Sequence, residues 1–472
     1  MPARSISSFA SFAIILAEAE LESIGTRRRS QASKWIVTLG ALAFGLPVSA
    51  AERELDQASP PSSAVEIQTP IERVFPDEEE RSPLFPRISA RLQGLTPFLA
   101  DTRLEARFRS FYLRNDRTIG SLSEALATGG SLYYRSGWLG GFFAVEAEGF
   151  TSQPLYAPQD RDGTSLLRPV QNGYSSLGIA NARLRYQGIE LTGFRQYLDL
   201  PYVNRSDSRM TPNTFESITL AKPEGPFRFS AGYTWKIKRR ASADFESFTR
   251  SLGLTQDRGL AHAGAFWNPT KGVHLGAIAG VIPDLSAGIY SELGFVRPVA
   301  EDLEARIDMQ FTYREAIGDD LLGPALSSGW NVGVRSASSW RNVVFRLGLS
   351  VTGSKNGLDS LFGTSPSYAD LMQRTFNRAD EKALLASLSY DFSGLGVDGL
   401  TVIANFAAGF DGKLAGQQGN AQELDVTIDC RLTEGLLENL WLRVRASWLR
   451  DELINREATE VRVILRYDVP LL

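Results

Sequence analysis

The sequence predicts an all-β fold, a transmembrane antiparallel β-barrel, and three observations carry that prediction. From Thr102 onward, apolar and polar residues alternate with a period of two. The alternation persists for about ten residues at a time, the length that crosses a bilayer when a strand is tilted, whereas strands of soluble sandwiches average five or six. The composition is also soluble-looking, with 22% charged and 43% hydrophobic residues and a mean hydropathy of −0.14. That excludes a bundle of apolar transmembrane helices but suits strands whose two faces average out.

The elements follow in chain order. Arg27, Arg28, Arg29 and Lys34 precede the apolar run Trp35 to Val48, and Val48-Ser49-Ala50 supplies small residues for cleavage. Residues 1–50 thus read as a secretory signal peptide, with either a start codon downstream of Met1 or an unusually long leading region. Residues 51–96 are rich in Pro, Ser and acidic residues, including Asp77-Glu78-Glu79-Glu80, and read as a mobile periplasmic segment or a small plug. The barrel domain occupies residues 97–472.

Within it, Leu104, Ala106 and Phe108 oppose Arg103, Glu105, Arg107 and Arg109. Phe227, Phe229, Ala231, Tyr233 and Trp235 oppose Arg228, Ser230, Thr234 and Lys236, and Ile307, Met309, Phe311 and Tyr313 oppose Arg306, Asp308, Gln310 and Thr312. Near the C-terminus Leu424, Val426, Ile428 and Cys430 oppose Glu423, Asp425, Thr427 and Asp429. Connections alternate between short ones, such as Asn268 to Gly272, and long polar ones, such as Lys355 to Asp380, as periplasmic turns and external loops do. At roughly 20 residues per strand with its connection, the length gives 16 to 18 strands, enough for an aqueous channel and too few for a plugged 22-stranded transporter. Trp138, Trp235, Trp267, Trp330, Trp340 and Trp448 are expected in the interfacial girdles.

Several function classes drop out. A net charge of −4 gives no basic face for nucleic acid. Only His262 and His274 are available as catalytic or metal-ligating imidazoles, and neither has hydrolase or metal spacing. His274, between Val273 and Leu275, is expected to face the lumen. Gly394-Leu395-Gly396 is turn sequence and no phosphate loop, since no helix follows, and the single Cys430 makes no internal disulfide. Neither enzymatic activity, cofactor nor metal is therefore expected.

The chemistry is expected in the lumen charges, because a low-dielectric wall focuses their field on passing solutes. Of the 50 basic residues, 42 are Arg and 8 are Lys. Arginine keeps its charge and offers carboxylates a planar fork, whereas lysine would solvate a wall equally well. Arg183 with Arg185, Arg443 with Arg445, and Arg462 with Arg466 each share a face of one strand and, if adjacent in the closed barrel, form a basic track. The acidic row Glu423, Asp425 and Asp429 is expected beside it, and Arg205, Asp207 and Arg209 on an inward-folded loop.

The sequence resembles the OprD-like family of substrate-specific outer-membrane porins from Pro97 to the C-terminus. Phe98-Leu99-Ala100-Asp101-Thr102-Arg103-Leu104 with Arg109-Ser110-Phe111-Tyr112 is similar to the family's first strand. Asp207 through Glu216 resembles the stretch that continues from its constriction loop, and Gly232-Tyr233-Thr234-Trp235-Lys236 and the last strand also fit. The resemblance implies 18 strands, an inward-folded constriction loop, a trimeric or weakly associated state, and a basic ladder guiding carboxylates to a narrow eyelet. The chain departs from barrels generally in ending on Leu472 where an aromatic residue is usual. The function implied is passive, charge-selective diffusion of small carboxylate-bearing solutes, such as amino acids or aromatic acids, across the outer membrane of a Gram-negative bacterium. The alternative is a non-selective or largely closed barrel with a structural or adhesive role. Expected partners are the solutes, outer-membrane lipid and lipopolysaccharide, with no nucleic acid and either a homotrimer or a monomer as the assembled state. N-terminal sequencing of outer-membrane material is expected to begin at or close to Ala51; retention of Trp35 to Val48 would instead make that run an inner-membrane anchor.

Overall fold

In the computed structural model, residues 83–323, 328–353, 355–435 and 437–472 are described. The signal peptide predicted over residues 1–50 and most of the 51–96 segment lie outside them. Eighteen strands form one sheet: β1 Arg103–Arg117, β2 Ser123–Arg135, β3 Phe143–Tyr156, β4 Tyr174–Tyr186, β5 Ile189–Gln196, β6 Thr214–Lys222, β7 Phe227–Lys238, β8 Leu260–Trp267 and β9 Val273–Ile282. They continue with β10 Ser286–Ala300, β11 Leu303–Ala316, β12 Gly329–Trp340, β13 Val343–Thr352, β14 Lys382–Asp391, β15 Leu400–Leu414, β16 Gln417–Arg431, β17 Trp441–Asp451 and β18 Arg456–Pro470. Each pairs antiparallel with its sequence neighbours, and β1 pairs with β18 from Glu105 opposite Pro470 to Arg117 opposite Ala458. That last ladder closes the sheet, which removes the free edges that hydrocarbon would not tolerate. Among the described residues no helix is long and apolar enough to cross a membrane.

The longest connections gather at one end of the barrel, where short ones such as Ala415-Gly416 also occur. At the opposite end tight turns suffice: Gln187 and Gly188 join β4 to β5 with φ of 49° and 76°, the paired left-handed conformation of a two-residue hairpin. The long loops are residues 197–213, 239–259 and 353–381. Both the start of β1 and the end of β18 lie at the short-turn end, which is therefore periplasmic. There the Leu84 N–H donates to the Pro470 carbonyl (2.6 Å) and Phe85 N–H to Leu471 (3.2 Å), and a helix, α1 Pro86–Leu92, follows. A second short helix, α2 Pro97–Ala100, leads into β1.

The alternation sets the faces as the sequence implies. Met309, Phe311 and Tyr313 on β11 are exposed to the outside, whereas Asp308, Gln310 and Thr312 are buried within. Trp267, Trp340 and Trp448 stand exposed on the outer surface. Two girdle assignments are corrected. The β6–β7 register shifts between Glu216 and Ser217, leaving Trp235 without a cross-strand partner, and its indole N–H donates to the Glu216 carboxylate (3.1 Å). Trp138, in the β2–β3 turn, is covered by the guanidinium groups of Arg183 and Arg185. In the middle of β2, Gly129 and Gly130 take φ of 155° and 136°, and a Cβ there would lie 2.1 Å from the Thr151 carbonyl oxygen and 1.8 Å from that of Arg107. Only glycine lets β1, β2 and β3 close up at this point.

Much of the lumen is filled. Leu198, Leu200 and Val203 of the β5–β6 loop pack with Phe248 of the β7–β8 loop and Phe362 of the β13–β14 loop against Leu260, Phe266, Ile278 and Tyr290 of the wall. A smaller cluster joins Phe111 and Leu113 of β1 to Leu166, Leu167 and Met210. Unheated protein should run faster than boiled protein in SDS gels. In a Cys430→Ser background, Phe311→Cys should react with a lipid-soluble maleimide and Arg335→Cys with a water-soluble one; equal reaction of both sites with both reagents would refute the faces.

Candidate functional site in the lumen

Two loops cross the lumen and are fastened to opposite walls and to each other. In the β5–β6 loop, Tyr197 donates to Glu148 on β3 (2.8 Å), Tyr202 donates to Thr312 on β11 (3.3 Å), and Asp207 accepts two bonds from Arg109 on β1 (2.6 and 2.8 Å). The β13–β14 loop meets it through Val203 and Phe362 in a parallel bridge. The Asn204 amide donates to the Thr364 carbonyl (2.9 Å), and its oxygen accepts the Thr364 N–H (2.8 Å). Between them and the wall lies a polar cavity of about 560 Å³, lined among others by Asp199, Arg205, Asp207, Arg335, Tyr368 and Asp370. Arg205 pairs with Asp199 and stacks on Tyr197 (4.5 Å), and Arg335 stacks on Tyr368 (4.6 Å). Both cations are thus held flat against the cavity wall.

Barrel closure brings four of the predicted arginines together. Arg445 on β17 lies directly across from Arg462 on β18, Arg443 is two residues along, and Arg466 lies across from Arg109 on β1. Arg183 and Arg185 stand apart on β4, near the periplasmic mouth, over the Trp138 ring at 5.1 and 4.2 Å. The predicted single row is therefore two groups, because β1 to β3 intervene between β18 and β4. Arg209, on the β5–β6 loop, reaches the first group, while Arg205 and Asp207 line the cavity.

Most of these cations carry their own counter-charge. Arg443 makes two bonds to Asp429 (2.6 and 2.7 Å), Arg466 two to Asp468 (2.8 and 2.9 Å), Arg462 one to Glu460 (2.5 Å) and Arg183 one to Glu190 (2.6 Å). Three differ. Arg445 donates to the Thr427 hydroxyl (3.1 Å), Arg209 to the carbonyls of Thr164 and Ser208 (2.8 Å each), and Arg240 to the hydroxyls of Ser206 and Ser208. No carboxylate among the described residues forms an ion pair with any of the three. Burial, and then the charges of Arg462 and Arg240, push the Arg209 pKa down, so an arriving anion relieves a crowd of positive charge. Asp207 is the opposite case: burial raises its pKa, but Arg109 outweighs that and holds it below the usual carboxylate range.

The acidic row is corrected in its role. Glu423 and Asp425 are fully buried and do not line the passage. The Gln373 N–H donates to Glu423 (2.8 Å) and the Met372 N–H to Asp425 (3.0 Å), while Arg462 donates to the Met372 carbonyl (3.0 Å). The pair thus pins the β13–β14 loop to the wall, whereas Asp429 pairs directly with Arg443. Arg374 and Arg378 of the same loop complete the fastening on Asp451 (2.5 and 2.8 Å). His274 faces the lumen and bonds Glu292 (2.5 Å), and no cluster of metal-ligating side chains occurs among the described residues. Arg240, Arg109, Tyr197, Arg335 and Tyr368 were not among the predicted site residues. Arg109 was visible as a lumen residue, since it alternates with Phe108; Arg240 and Tyr368 sit in loops, where no period marks a face.

Several solved structures share this architecture. OccK9 (OpdG) of Pseudomonas aeruginosa is 24% identical, with a TM-score of 0.74. OpdK of the same species, determined with vanillate, is 23% identical with a TM-score of 0.72, and a BenF-like porin from Pseudomonas fluorescens Pf-5 is 21% identical with 0.74. Each match covers 79% of this chain and 100% of the other. No curated protein matches the chain. The closed 18-stranded wall narrowed by inward loops, the match of residues 96–471 to the family model, and these shared folds lead to one conclusion: the chain belongs to the OprD family of outer membrane porins, passive channels of the bacterial outer membrane and not enzymes.

Proposed function

We propose that this porin passes small solutes bearing a carboxylate, such as amino acids or aromatic acids, and selects them through the arginines of its narrowed lumen. The observation that carries this reading is the group Arg209, Arg240 and Arg445, three cations at the constriction with no carboxylate ion-paired to them. A carboxylate entering from outside meets these first. It then passes along Arg462, Arg443 and Arg466, and leaves past Arg183 and Arg185 at the periplasmic mouth. Arg205 and Asp207 shape the cavity beside this path. The vanillate in the OpdK structure is itself a small aromatic carboxylate, which fits the same class.

Each contact must be weak, because a site that binds tightly blocks release, and several similar sites lower the barriers between them. An exposed ion pair contributes about 0 to 1 kcal/mol, so each arginine supplies a several-fold effect and none is indispensable. Arg445→Gln should lower the flux of small carboxylates several-fold in reconstituted vesicles and leave uncharged sugars of similar size unaffected. The loss should shrink at high salt, where the Debye length falls to about 3 Å at 1 M. Equal loss for charged and neutral solutes would mean that Arg445 only shapes the passage, and a wild-type barrel without conductance in planar bilayers would favour a structural role.

The pairing of Arg443 generates a second expectation. Arg443→Gln leaves Asp429 as an unpaired anion on the path, so it should lower carboxylate flux more than Arg445→Gln does. Adding Asp429→Asn should restore most of it. Absence of that rescue would show that the Asp429 charge does not act on the solute.

A further inference from the structure

The family match begins at residue 96, and the segment just ahead of it has features of its own. Leu84 and Phe85 bond to Pro470 and Leu471 beyond the point where β17 stops pairing with β18, so they cover the backbone edge left open at the periplasmic end of the last strand. The chain then turns into α1, which buries none of its residues. Leu84, Phe85, Ile88 and Leu95 are 46 to 56% exposed although the segment is tied to the barrel at both ends. A helix of one or two turns is marginal in water even in a good sequence, and one with its apolar side chains in water has nothing to hold it. None of the described residues covers it.

Two observations identify the cover. The periplasmic turns of the barrel also expose apolar side chains: Leu139 and Phe142 after β2, Leu395 and Val397 after β14, and Leu437 after β16. These lie where the outer apolar surface of the strands ends, so α1 continues a ring that already faces lipid. The only charges from Leu84 to Ala100 are Arg87 and Arg91, both exposed; the next charged residue is Asp101. Ile88 and Leu92 lie four residues apart on one face of α1, Leu84 and Leu95 flank the helix, and Arg87 and Arg91 stand beside that face. Apolar side chains on one face with flanking arginines fit a bilayer interface, where the arginines bond phosphate oxygens.

We propose that Leu84 to Leu95 is an interfacial anchor that lies in the periplasmic leaflet of the outer membrane, with Ile88 and its neighbours in the acyl boundary and Arg87 and Arg91 on anionic phospholipid headgroups. The anchor fixes Leu84 to Leu95 against the bilayer ahead of β1. The test uses the full mature chain with Cys430→Ser, carrying a nitroxide at Ile88→Cys or, on the opposite face, Gln93→Cys. In phosphatidylglycerol vesicles the label at position 88 should collide severalfold more with oxygen than with a water-soluble nickel chelate, and the label at position 93 the reverse. Arg87→Glu with Arg91→Glu should move the label at 88 toward the chelate while leaving bilayer conductance unchanged. Two results would overturn the proposal: a label at 88 as open to the chelate as that at 93, or one shielded from both reagents in lipid-free detergent, which would place it against a second copy or another protein.

Discussion

Every backbone N–H and C=O of a strand in hydrocarbon must find its partner inside the protein, since an unpaired group there costs several kcal/mol. The β1–β18 ladder meets that demand for the wall as a whole. Its consequences run inward. A ring of eighteen strands encloses more space than wall side chains fill, so loops enter to narrow it, and their polar backbone then needs partners too. That need explains the long hydroxyls and carboxylates of the wall. Tyr202 on Thr312, Glu423 on Gln373 and Asp425 on Met372 are wall-to-loop bonds that only a wide closed barrel requires.

The charges divide into those that hold the structure and those that meet the solute on the proposed function. Asp308, 1% exposed, accepts from Arg306 (2.8 Å) and Arg335 (2.7 Å), and removing one partner of a pair so buried costs about 3 to 5 kcal/mol. Arg374 with Asp451 and Glu381 is of the same kind. The apolar fill gathers around Phe215, Phe248 and Phe362. On the proposed function, the selectivity of the channel would rest on Arg209, Arg240 and Arg445.

A period of two tells which way a side chain points and nothing about how deep it lies. The faces of β1, β11 and β16 were therefore legible residue by residue, and so were the barrel and the alternation of connection lengths. Glu423, Asp425 and Asp429 share one face in the sequence, yet the first two are sealed under a loop and the third meets Arg443, because only the folded β13–β14 loop separates them. The gap between Arg183 and Arg443 is a matter of strand count around the ring, which spacing along the chain does not express. Trp235 was misplaced for a local reason: a bulge offsets the register, and one extra residue undoes the parity on which the reading depends.

The glycine pair in β2 links the wall to its capacity for change. Gly129 lies across from Arg109, and Gly130 from Phe108, so any side chain at either position would push β1 or β3 outward. Arg109 would move with β1 and draw on Asp207, and through it on the loop that bounds the cavity. Most positions of a barrel wall drift freely, lipid-side residues trading one apolar group for another. At this one place the shape of the pore and the identity of a wall residue are the same variable, so a shift in the range of solutes that begins here must pass through a displaced strand, and the channel is more evolvable through its loops than through its wall.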